Sequence, residues 1–239
     1  MTGALINALG IIAGGAWGLA ARKPIPPPYP LVLKIALGVS MIWFGLKLAW
    51  DSLNGSFRQW LGQLGLVLLA MALGKMAGQL LRLQKLSNSI GRRATQTLAA
   101  PPGPRQFEAG FRLATALFCA GPLALLASVQ EGLNGPSPVF LVKAGIDGLA
   151  AYAFCQTFGW GVILSALPVL ALESALIRGA QWLGPVLRHR PGPLVDIINA
   201  TDGLLIFCVA MIILGLKRIE VADYFPSLAL APLLTWWLW

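Results

Sequence analysis

The sequence predicts an all-α, polytopic helical membrane protein of seven to eight spans, and three observations carry that prediction. Hydrophobic residues make up 57% of the 239 and charged residues only 11%, whereas an ordinary soluble domain is about a quarter charged. The mean hydropathy is +0.73. The apolar residues also gather into runs near the ~20 helical residues needed to cross ~30 Å of hydrocarbon. Eight such runs lie at residues 3–21, 31–50, 60–81, 108–130, 138–157, 159–178, 197–216 and 224–239, and together they form a single integral membrane domain over 1–239.

The first run starts at residue 3 with neither a basic leader nor a small-residue cleavage site, so it reads as helix one and not as a removable signal peptide. It carries Gly10, Gly14 and Gly18, and the third run carries Gly74 and Gly78. Such small-residue stripes let helix backbones approach closely and permit a homodimer without requiring one. Between runs one and two, "RKPIPPPYP" cannot continue a helix, because its prolines lack donors and fix φ, and a stiff extended connection is expected.

The stretch from Leu83 to Gln106 holds Lys85, Arg92, Arg93 and Arg105 and no acid, and reads as a cytoplasmic loop, with "LSNSIGRRATQ" along the membrane surface. The terminal "TWWLW" supplies interfacial indoles. Counting Lys and Arg in the loops gives nine inside and four outside if all eight runs cross, and ten to three if the fourth dips in and returns. Loop charge therefore leaves the path of run four open.

That run, "ATALFCAGPLALLASVQEGL", contains Gly121 and Pro122 at its middle. Proline removes one intrahelical hydrogen bond and clashes with the preceding turn, so a kink or break is expected there. Freed carbonyls at membrane depth are tolerated only where they are buried in protein or line a wet cavity. Cys119, Ser128, Gln130 and Glu131 flank this break. In run five, Lys143 and Asp147 stand at i and i+4 and can pair on one helix face. A charge at this depth costs at least ~2.5–3.5 kcal/mol on insertion scales. Glu173, in run six, has no lysine within a turn; Asp202, in "DIINATDGLLIF", reads as lying at the start of run seven.

The chain ends look related. "GALINALGIIAGGAWGLAAR" can be laid on "GVILSALPVLALESALIRGA", which puts Asn7 over Ser165, and "MIWFGLKLAW" on "MIILGLKRIE". This predicts inverted three-helix repeats, residues 1–83 and 159–239, flanking an interrupted central pair at 107–158. Secondary transporters commonly use that plan, with the site at the repeat interface on broken helices.

The net charge of +9 is explained by topology and anionic lipid, since no basic face carries the exposed aromatics of a nucleic-acid site. The three cysteines lie in apolar runs and imply no disulfide framework. A lone His189, no GxSxG and no phosphate loop argue against an enzyme. No cofactor is implied, and the identity of any metal is open. The expected function is secondary transport of a small solute or monovalent ion. Ser128, Gln130, Glu131, Lys143 and Asp147 form the expected binding site, with Asn7, Cys119, Gly121, Glu173 and Asp202 as secondary candidates. A structural or regulatory membrane protein is the alternative, and an ion channel or intramembrane enzyme ranks below both.

With "LFCAGPLALLASVQEGLNG", "KAGIDGLAAYAF", "TFGWGVILSALPVL", "GLLIF", "GLKRI" and "FPSLALAPLL" in this order, the chain resembles the YdfK/YqgA-like family, domain of unknown function 554. The resemblance covers nearly the whole chain and is most specific from Phe118 to Asp147. It implies a bacterial inner-membrane, multi-pass location and a presumed transport role. The family pattern has Gln near Glu173, so the resemblance ranks Glu173 below Asp147 as a proton carrier.

Overall fold

The computed structural model describes residues 1–21, 28–99, 106–189 and 192–238. Most of "RKPIPPPYP", and Arg105 with the end of the expected loop around it, lie outside the described residues. The described chain is helical throughout: α1 Thr2–Ala20, α2 Pro28–Ser52, α3 Phe57–Leu80, α4 Leu83–Ala99, α5 Gln106–Ala120, α6 Pro122–Asn134, α7 Pro138–Phe158, α8 Ala166–Arg188, α9 Leu194–Ile213 and α10 Pro226–Leu238. Short 3₁₀ turns at Gly159–Ser165 and Val221–Tyr224 precede α8 and α10.

The stretch read as a cytoplasmic loop after Leu83 is helical over α4, and its Ala94 is buried in a core with Ala8 and Ile11. Only five helical stretches among the described residues are long and apolar enough to cross a membrane, or up to six if the bent pair α5–α6 is one span. Helix α10 has 13 residues, a rise of ~20 Å that is short of the hydrocarbon thickness. Pro138–Arg188 enters that count as one apolar stretch of 51 residues, although it holds two helices, α7 of 21 and α8 of 23 residues, each long enough to cross. That stretch folds back on itself. Lys143 and Glu173 would be ~45 Å apart along a continuous helix, yet their charged groups meet at 3.2 Å. The reversal follows Gly159, whose φ of 72° a side-chain-bearing residue adopts only with strain.

The chain forms two compact units, Met1–Leu37 with Ser87–Arg178, and Gly38–Leu86 with Gly179–Trp239. In the first unit, α1 packs along α7. Gly10, Gly14 and Gly18 face Ala144, Gly148 and Tyr152 in the same order, so the two helices run parallel. A methyl group on Gly10 would stand 2.8 Å from the Ala144 carbonyl oxygen, so only glycine allows the approach. Phe118, Ala151, Cys155, Val162 and Val169 fill the core beside this crossing.

In the second unit, α3 lies against α10 and the second 3₁₀ turn, with Gly74 beside Ser227 and Gly78 beside Asp223. Gly45 of α2 meets Gly203 of α9. Helix α3 starts in a capping box, in which Ser56 accepts from the Gln59 N–H and the Gln59 side chain accepts from the Ser56 N–H. Asp223 accepts the Gln84 N–H at 2.7 Å, and the Gln84 side chain accepts the Ala222 N–H at 3.1 Å, which ties the start of α4 to the 3₁₀ turn.

Candidate functional site

The site begins with a missing donor. Pro122 has no N–H, so the Phe118 carbonyl, one helical turn earlier, loses its normal partner. The Gly121 N–H still closes on Leu117 O at 3.1 Å; α6 then restarts with Gly121 as its N-cap, and α5 and α6 meet at a 53° bend. The break expected at Gly121–Pro122 is therefore present. The freed Phe118 carbonyl does not stay unpaired. It accepts from the Lys143 ammonium of α7 at 3.3 Å.

Lys143 is the hub of a buried cluster and is itself only 2% exposed. It pairs with Asp147 one turn along α7 and with Glu173 of α8 at 3.2 Å. Asn7 of α1 donates its amide to the same two carboxylates, to Asp147 at 3.1 Å and to Glu173 at 2.9 Å. One cation thus faces two carboxylates, bridged by a neutral amide. With both acids ionised the cluster carries one net negative charge, and two acceptors, Glu173 Oε2 and Asn7 Oδ1, meet no protein donor. One proton or one monovalent cation would balance the charge, and the two free oxygens are the places to hold it.

The other expected residues are placed differently. Glu131 is buried but stands apart from the cluster. Both of its oxygens accept the Gly3 N–H, at 3.0 and 3.2 Å, and one takes the amino group of Met1 at 2.6 Å. The expectation that Glu131 joins Lys143 and Asp147 in one polar centre is corrected: its carboxylate lies instead beside the open N–H groups at the start of α1, where a negative charge is stabilised. Ser128 spends its hydroxyl on the Ala124 carbonyl at 2.6 Å. The Gln130 side-chain oxygen is buried without a donor. Cys119 is a free thiol next to the carbonyl that Lys143 takes. Asp202 lies well inside α9 and is completely buried; it does not stand at a helix start.

Glu173 and Asn7 were secondary candidates and are central. The signal for Glu173 was present in the sequence, since an acid in an apolar run with no cation within a turn either stays neutral or finds its partner on another helix. Lys143 and Asn7 contact both Glu173 and Asp147, so the two acids belong to one cluster. Among the described residues no group of three or more His, Cys, Asp and Glu could hold a metal ion.

A cleft of about 600 Å³ opens beside the break. Ser87, Asn88, Arg92 and Thr95 of α4 line one side, and Leu117, Gly121 and Pro122 the other. It reaches the same turn whose carbonyl Lys143 holds. Replacing Pro122 by Ala restores a donor for Phe118 O, which then competes with Lys143. The expected outcome is a straighter α5–α6 at no loss of thermal stability. The checking measurement is a spin-label distance across the pair, which lengthens by several ångströms; an unchanged distance would show that tertiary packing, not proline, sets the bend.

The profile of the family described as "Protein of unknown function (DUF554)" matches residues 2–236. The chain is 26% identical over 232 residues to "Uncharacterized membrane protein YdfK" of Bacillus subtilis (strain 168), covering 97% of this chain and 94% of that one. It is 25% identical over 239 residues to "Uncharacterized protein YqgA" of Escherichia coli (strain K12), covering 98% and 97%. No solved structure matches.

Proposed function

Since the chain belongs to the DUF554 family, we propose that it is a secondary carrier of the bacterial inner membrane, multi-pass, moving a small solute with a proton or monovalent cation. The observation that carries this reading is the sharing of Lys143 by two buried carboxylates. A pair of equal and opposite charges needs nothing further, whereas two acids on one lysine leave a negative charge that a mobile cation satisfies. When that ion binds, Lys143 is released toward one acid or toward the Phe118 carbonyl, so occupancy is coupled to the broken turn. The neighbouring cleft, with Ser87, Asn88, Thr95 and Arg92, suits a small polar or anionic solute. Interrupted helices with unwound backbone are the common way transporters place such sites.

A structural role is the second reading, and burial favours it: Glu173 is 0% and Lys143 2% exposed, as in a polar lock between α1, α7 and α8. Currents on solid-supported membranes separate the two. Proteoliposomes of the wild-type chain receive pH or Na⁺ jumps with a panel of small anions and polar solutes. The carrier reading expects a solute-dependent current at least tenfold reduced in Asp147→Asn and Glu173→Gln, both still monodisperse. Currents no larger than in protein-free liposomes across the panel, or undiminished in both variants, would leave the lock.

A further inference from the structure

A segment of the first unit recurs in the second. "PSPVFLVKAGIDGL", from Pro136, and "PGPLVDIINATDGL", from Pro191, align without gaps, sharing both prolines and the closing Asp-Gly-Leu. The second of these lies in the described residues from Gly192 onward. Each segment leads into a long helix, then a 3₁₀ turn, then another helix: α7 into α8, and α9 into α10. The glycine after each aspartate sits at a backbone crossing in its own unit. A methyl group on Gly148 would stand 2.8 Å from Gly10 O, and one on Gly203 would stand 2.5 Å from Gly45 O. Asp147 and Asp202 therefore hold the same position relative to a close helix crossing.

Their surroundings differ in one decisive respect. Where Asp147 has Lys143 one turn before it, Asp202 has Ile198. Asp202 is 0% exposed, and neither of its oxygens meets a hydrogen-bond donor. The hydroxyl next to it, on Thr201, is spent on Ile197 O at 2.7 Å. The charged groups on the elements around α9 are committed or exposed. Lys47 of α2 pairs with Asp51 at 2.6 Å. Lys75 of α3 lies over the Tyr224 ring at 5.5 Å, and Arg58 is exposed. Asp223 holds the Gln84 N–H, and α10 carries no charge. On α9 itself Asp196 lies in the first turn. No cation of the described chain neutralises Asp202.

We propose that Asp202 is a second proton-binding carboxyl, held as the neutral acid in its own unit and separate from the Lys143 cluster. A proton fits where a metal cation does not, because a proton needs the one carboxyl while a metal ion needs several oxygens, and of the buried neighbours one turn away along α9, Ile198, Asn199, Leu205 and Ile206, only Asn199 carries a side-chain oxygen. The proposal does not rest on transport, and its test does not read transport.

Infrared spectroscopy of the full chain in nanodiscs at neutral pH is the test. The expected result is a protonated carboxylic C=O stretch that Asp202→Asn removes and that persists in the Asp147→Asn/Glu173→Gln double variant. Asp202→Glu, which keeps an acid, shifts the band without removing it, and serves if the Asn variant does not fold. Identical carboxylic bands in the wild type and both Asp202 variants would overturn the proposal. So would a Na⁺- or K⁺-dependent rise in melting temperature that Asp202→Asn abolishes, because the occupant would then be a metal cation.

Discussion

Lys143→Met is expected to cost about 3–5 kcal/mol of stability, the range for removing one partner of a buried ion pair. The variant leaves Asp147 and Glu173 facing each other with only the Asn7 amide between them. Glu173→Gln is expected to behave in the opposite way. It leaves Lys143 and Asp147 as a balanced pair and keeps an oxygen for Lys143, so the melting temperature in detergent stays close to wild type. In the double variant the loss is partly recovered, with a coupling of about 0.5–3 kcal/mol. A melting-temperature cycle on the four proteins reads all of this. Equal losses for Lys143→Met and Glu173→Gln would show that the cluster is a closed network of paired charges, with no excess acid to be satisfied.

The second large effect belongs to the α1–α7 crossing. Gly14 lies directly against the Gly148 backbone, so Gly14→Leu must push the helices apart along the whole seam that includes Gly10 and Gly18. Overpacking of this kind costs about 1–3 kcal/mol where neighbours can shift, and more is expected here because the obstruction is backbone. The displaced α1 also carries Asn7 away from Asp147 and Glu173, so the variant should lose any ion-dependent signal even where it remains folded. Gly65→Ala is the control. Nothing lies within 4 Å of that position, and alanine there is expected to be neutral or to gain up to ~1 kcal/mol in helix propensity. If Gly14→Leu matched the control in melting temperature, the close crossing would carry no stability.

Local features of the site were legible because they are written within one helical turn. Lys143 and Asp147 are spaced to meet on one face, and Gly121–Pro122 must interrupt a helix whatever surrounds it. Glu173 and Asn7 were visible only as polar residues in apolar runs, without partners. Their meeting depends on α7 and α8 folding back at Gly159 and on α1 running parallel to α7, and neither follows from periodicity. Glu131 misled for the same reason. Its proximity in sequence to the break placed it with Lys143, whereas the N–H groups it satisfies come from the start of α1.

By itself the sequence pointed to the solvent and the element type: 57% apolar residues gathered in long, non-alternating runs favour helices in a bilayer, where each helix satisfies its backbone groups within its own segment. It also determined where one of those helices breaks. Tertiary structure decided which charges balance. Contacts such as Lys143 with Glu173, and Asn7 with both acids, join residues far apart in the chain, and their energies come from geometry that no local spacing encodes. It also decided that Asp202 has no counter-charge, which makes two aspartates in the same sequence motif chemically different.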